Sequence, residues 1–170
     1  QSRIFSIDGN NITLNDLILI NGNYPNCGGM SVSGTLTLNN VTFINNHADE
    51  QGGAIGLDSA ILICNNSRFI DSSAKDGPSI LVMDSLLKLY NSYITSKNFA
   101  KSSQIYLSKA EVYIENTTFA NITASYAPAI YGKTFKASIK KSKFIDLKAN
   151  MTAGAIGTKE GGELYIENCE

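Results

Sequence analysis

The chain has 170 residues, a net charge of −1, 43% hydrophobic residues and no tryptophan. That length suits one domain of about 100 to 200 residues, and the near-neutral charge argues against nucleic acid as the main partner. No stretch reaches the roughly 18 consecutive apolar residues that a membrane span needs, and a single histidine with three cysteines, none in a Cys-x-x-Cys pair, argues against a zinc site.

Read from the N-terminus, residues 3 to 8 already form a strand of a repeating unit, because Phe5 stands 25 residues before Met30. Ile12 and Leu14 open the next segment, Leu19 follows, and the same order then recurs along the chain. Leu19, Phe43, Phe69, Ile94, Phe119 and Phe144 are spaced by 24, 26, 25, 25 and 25 residues. A second apolar column runs through Met30, Ile55, Ile80, Ile105, Ile130 and Ile156. A third runs through Leu14, Leu38, Cys64, Leu89, Ile114, Ile139 and Ile166, two residues after a fourth at Ile12, Leu36, Leu62, Leu87, Val112, Ala137 and Leu164. Alternation within these segments has period two, as in Leu36-Thr37-Leu38, and helical spacing is absent, so each unit supplies three short strands.

A three-stranded unit of this length cannot bury its apolar face alone and must stack on its neighbours. The expected fold is therefore all-β: a right-handed single-stranded parallel β-helix of six to seven coils, about 25 residues each. Equivalent strands would lie about 4.8 Å apart, giving a rod roughly 30 Å long. An antiparallel sandwich also has regularly spaced strands but does not superpose one residue column over six repeats.

Polar residues keep the same register. One row is Asp16, Asn40, Asn66, Asn91, Asn116, Lys141 and Asn168; the other is Asn21, Asn45, Asp71, Ser96, Asn121 and Asp146. Asn tolerates left-handed backbone, and its amide both donates and accepts. Both rows read as structural, inward-facing Asn ladders, with Lys141 predicting a bulge or an outward-turned side chain. The register is cut in mid-coil at both ends, which predicts flanking coils of the same chain or end-docking partners.

Cys64 reads as a small core residue, whereas Cys27 and Cys169 are too many coils apart to pair. Asn-x-Ser/Thr triplets occur at Asn11, Asn40, Asn65, Asn116, Asn121 and Asn150. The ladder reading leaves Asn11, Asn65 and Asn150 as the candidate glycosylation acceptors. His47 reads as a turn residue, with no acidic or nucleophilic partner fixed by register. No cofactor is expected.

Gly52-Gly53-Ala54-Ile55 follows Phe43-Ile44-Asn45-Asn46, with weaker echoes at Gly28-Gly29-Met30, Ala127-Pro128-Ala129-Ile130 and Ala153-Gly154-Ala155-Ile156. This resembles the GGAI and FxxN repeats of polymorphic outer membrane proteins and adhesin-like surface proteins of the pectin-lyase-like group. The paired motif is complete only once, at residues 43 to 55. The resemblance implies a secreted or cell-surface scaffold without chemistry of its own, whose partners are other surface proteins or glycans.

Two features could serve that role. The position after each aromatic-column residue should face outward, and it holds Ile20, Ile44, Ile70 and Ile145, a candidate interaction strip. Residues 75 to 148 contain eleven Lys against five acids, and Lys140, Lys141 and Lys143 form a candidate basic patch. Polysaccharide lyases and hydrolases share the fold, so an enzyme with its site outside this segment is the competing class. Asp71 and Asp146 stand three units apart, about 14 Å by strand spacing, too far for paired acid catalysis in a retaining glycosidase. A module of a larger extracellular assembly is a further alternative.

Overall fold

The computed structural model describes residues 1–170 and is an all-β solenoid. Successive first strands begin at Phe5, Met30, Ile55, Ile80, Ile105, Ile130 and Ile156, which defines seven coils of about 25 residues. Every pairing is parallel and joins one coil to the next: Phe5 opposes Met30, Met30 opposes Ile55, and Ile80 opposes Ile105. Second strands (Ile12–Asn15, Thr35–Asn39, Ile61–Asn65 and Leu86–Tyr90) stack in the same way, as do third strands (Ile18–Ile20, Thr42–Ile44, Arg68–Ile70 and Tyr93–Thr95). From the fifth coil the first and second strands run together as one bent strand, Ile105–Glu115, followed by Ile130–Lys140 and Ile156–Glu167. Third strands lengthen there to Thr118–Ala124 and Lys143–Ala149.

The apolar columns form one core. Met30, Ile55, Ile80, Ile105 and Ile130 are fully buried, as are Leu36, Leu62, Leu87 and Val112 behind them. Phe43 and Phe69 stack with centroids 5.1 Å apart, and Phe119 and Phe144 stack at 5.3 Å. Such pairs add about 0.5–1.5 kcal/mol beyond burial. Cys64 lies wholly inside, and burial pushes its thiol pKa well up.

Each coil bends at left-handed residues. One row follows the second strand: Asp16, Asn40, Asn66, Asn91, Asn116, Lys141 and Asn168, all with φ between 50° and 55°. Another follows the third strand at Asn21, Asn45 and Asp71 and bends the longer third strands from within at Asn121 and Asp146. At such a bend the left-handed residue turns its side chain outward and the next residue points in. The Asn rows are accordingly exposed, which corrects the inward reading of Asn40, Asn116 and Asn121. Their amides bond between coils in short runs: Asn40 Nδ2 donates to Asp16 Oδ1, Asn45 to Asn21 and Asn116 to Asn91, each at 2.8 Å. Lys141 makes no bulge; it keeps φ at 50° and extends outward to Glu115 Oε1 at 2.9 Å.

The ladder that does line the interior consists of the residues one place further on. The backbone N–H of Ser67 donates to Ser92 Oγ at 3.1 Å, Ser92 to Thr117 Oγ1 at 3.4 Å, and Thr117 to Ser142 Oγ at 3.2 Å. Each hydroxyl donates in turn to the carbonyl two residues back, as Ser92 Oγ does to Tyr90 at 2.8 Å. A buried donor without a partner costs about 1–3 kcal/mol, so one hydroxyl per coil spares one backbone N–H, while its own proton goes to a carbonyl that also accepts a backbone N–H, as Tyr90 does from Asn66. At the next corner Asn46 is the buried member: its Oδ1 accepts Gly22 N–H at 2.9 Å and its Nδ2 donates to the Leu19 carbonyl at 3.0 Å.

Candidate functional site

A third left-handed row bends the chain between first and second strands, and its residues have no common side-chain chemistry: Ser59, Asp84, Lys109, Thr134 and Glu160. The bend leaves a groove of about 780 Å³ that runs from Ser59 in the third coil to Gly161 in the seventh. Four coil rises make it about 19 Å long, and its volume falls in the range of about 300–1,000 Å³ typical of ligand sites.

One wall is a single outward column of parallel-paired residues, Ile61, Leu86, Glu111, Lys136 and Glu163, with a register shift between Lys133 and Phe135 where the sixth coil meets the seventh. Its upper end is apolar, with Ile61 39% exposed and Leu86 half-buried beside it. Its lower end is charged. Lys136 lies between two carboxylates and pairs with Glu163 at 3.1 Å. Glu111, on the other side, has no cation within ion-pair distance and accepts the Tyr113 hydroxyl instead. That hydrogen bond and the carboxylate charge hold the Tyr113 phenol above its usual pKa. On the bend itself, Asp84 and Lys109 approach to 3.7 Å.

On the face carrying the third strands, Ile20, Ile44, Ile70, Thr95, Ala120 and Ile145 occupy one register column. Ile20 is 51% exposed and Ile145 43%, whereas Ile44 and Ile70 are half-buried and Ala120 is buried. Ile18, at 68%, is more exposed than any of them. The row is thus a cluster over the first three coils with Ile145 apart from it.

The basic patch is corrected more strongly. Lys140 pairs with Glu167 at 3.0 Å, Lys141 with Glu115 at 2.9 Å and Lys143 with Glu170 at 2.9 Å. Each partner lies one coil away, so a local surplus of Lys becomes a set of staples between coils. Hydrogen bonding and the charge of Glu167 raise the Lys140 pKa, and Lys140 lowers that of Glu167 by the same two effects.

Among the glycosylation candidates, Asn11 and Asn150 are exposed. Asn65 is half-buried and its amide donates to Asn39 Oδ1 at 2.9 Å. Asn121, which the ladder reading set aside, is exposed at a left-handed bend. His47 is also corrected, since register brings Ser73 opposite it. Its Nδ1 lies 2.8 Å from Ser73 Oγ and its Nε2 lies 3.3 Å from Asp49 Oδ1. Together with the bond from Ser73 N–H to the Asn46 carbonyl, this chain ties one coil to the next.

No helix is long and apolar enough to cross a membrane. Searches against protein-family models, curated proteins and solved structures found no match for this chain.

Proposed function

We propose that this chain is a non-enzymatic β-helix scaffold of the extracellular space or cell surface, adhesin-like, that mediates interactions with other surface proteins or glycans. The groove supports this reading most directly. Its core and backbone repeat from coil to coil, while the side chains presented along its length change from aliphatic to acidic to basic. A solenoid that holds its interior constant and varies one outward column presents an extended recognition surface. The GGAI-like repeats at residues 43 to 55 agree with a surface scaffold.

The carboxylates fit binding better than hydrolysis. Asp71 accepts the Lys97 backbone N–H at 2.8 Å through Oδ1, a structural commitment, and Asp146 stands three coils away. Incubation with a panel of soluble polysaccharides and surface-protein fragments, followed by pull-down and chain-length analysis, tests the proposal. Retention of a ligand with its length unchanged is expected. Shortening of a polymer would overturn the non-enzymatic reading, and failure to retain any member would overturn the scaffold reading.

A further inference from the structure

Within the groove, the outward column from Ile61 to Glu163 presents two aliphatic side chains, then a carboxylate, a lysine and a second carboxylate. One lysine stands between two acids and is bonded to Glu163, at 3.1 Å. Glu111 is therefore an exposed carboxylate beside Leu86 and held only by the Tyr113 hydroxyl. The bend behind it contributes no surplus of positive charge, since Lys109 stands 3.7 Å from Asp84. The ligand that complements this order has an aliphatic portion and, next to it, a cation.

We propose that the groove binds an extended peptide segment in which aliphatic side chains are followed by lysine or arginine, the aliphatics lying on Ile61 and Leu86 and the cation on Glu111. This narrows the scaffold reading, on which it rests, to protein ligands. An ammonium or guanidinium on a carboxylate forms a charge-assisted bond roughly twice as strong as a neutral one, and the aliphatic contacts bury surface that is half-exposed in the free protein. A neutral glycan supplies neither the cation nor the aliphatic side chains. In an extended strand, residues i, i+2 and i+4 share one face and span about 13 Å, against about 9.6 Å for the two coil rises from Ile61 to Glu111; a peptide lying obliquely across the column, with the long lysine side chain reaching back to Glu111, takes up the difference.

The test uses the full chain and a fluorescein-labelled, end-capped hexapeptide, Leu-Ser-Leu-Ser-Lys-Ser, read by fluorescence anisotropy. Controls replace its Lys by Glu or both Leu by Ser, and a neutral oligosaccharide serves as competitor. Binding of the parent peptide is expected, weakened by salt and loosened up to about fivefold by Glu111→Gln, the range for an exposed ion pair. Leu86→Ser is expected to loosen it severalfold, and Glu50→Gln, whose carboxylate pairs with Lys75 away from the groove, to leave it unchanged. Both groove variants alter exposed or half-exposed side chains, and circular dichroism checks that they remain folded. Equal binding of the Glu peptide, indifference to Glu111→Gln, or absence of peptide binding would overturn the inference. Groove binding of the oligosaccharide without peptide binding would also overturn it, yet would leave the scaffold reading standing.

Discussion

Two corners of the same coil show opposite kinds of regularity. Where second strand meets third, the left-handed position is Asn in most coils and the next residue is Ser, Ser, Thr and Ser in coils three to six, so the chemistry repeats with the geometry. Where first strand meets second, the left-handed φ recurs at Ser59, Asp84, Lys109, Thr134 and Glu160 with no shared side chain. Repetition of side chains marks the corner that closes the interior. Variation on a repeated backbone marks the corner whose side chains meet solvent and form the groove.

If that contrast is right, substitutions of the buried corner residues damage stability and those of the outward residues at the variable corner do not. Asn46→Ala, at the corner after the third strand, should have the largest effect, about 3 kcal/mol, because Gly22 N–H loses its buried partner at about 1–3 kcal/mol and the bond to the Leu19 carbonyl goes with it. Urea denaturation measures it, and a loss under about 0.5 kcal/mol would show that the corner does not depend on that amide. Ser92→Ala should follow, at about 2 kcal/mol, since it orphans Ser67 N–H and removes the bond to the Tyr90 carbonyl.

At the variable corner the expected sign reverses for one residue. Thr134 is β-branched and left-handed at φ 50°, a conformation that costs a non-glycine residue about 1–2 kcal/mol. Asn tolerates it better. Thr134→Asn should therefore raise the melting temperature, by about 1 kcal/mol in stability, and a fall would mean that the Thr134 hydroxyl bond to the Glu160 carbonyl outweighs the strain. Leu86→Ser should stay within about 0.5 kcal/mol of the parent in the same denaturation assay.

The smallest effect concerns the staples between coils. Glu167, lowered in pKa by Lys140, contributes stability that is present above the ordinary glutamate range and fades as pH falls through its depressed value. Lys140, raised by Glu167, contributes stability that is present below the ordinary lysine value and fades as pH rises through the elevated one. The pair is thus fully formed at neutral pH. A carboxyl-carbon NMR titration should place the Glu167 midpoint lower in the parent than in Lys140→Gln, and coincident midpoints would dissolve the pair.

Much of the scaffold was legible because strand pairing in a solenoid repeats one register. Columns such as Ile55, Ile80, Ile105 and Ile130 can be read by counting, and so can the Asn that mark left-handed bends. Counting by 25 does not say which of two neighbours points in. Asn45 and Asn46 are adjacent, yet only the second is buried, and the Ser92 to Ser142 ladder looks like ordinary turn composition until the bend is known. Pairing across coils was equally hidden: Lys141 meets Glu115 from 26 residues away, so a tally of charge along the chain suggests a patch that folding neutralises. The groove depends on the angle between two strand runs, and its one sequence trace is the register column of Ile61, Leu86, Glu111, Lys136 and Glu163.

The central claim is that recognition resides at the variable corner. Amide chemical-shift mapping of the isotope-labelled protein, titrated with the Leu-Ser-Leu-Ser-Lys-Ser peptide, tests it most directly. Perturbations confined to residues 84–86, 109–111 and 134–136 are the expected result. Perturbations centred on Ile18, Ile20, Ile44 and Ile70 would contradict it and move the binding face to the opposite, apolar strip.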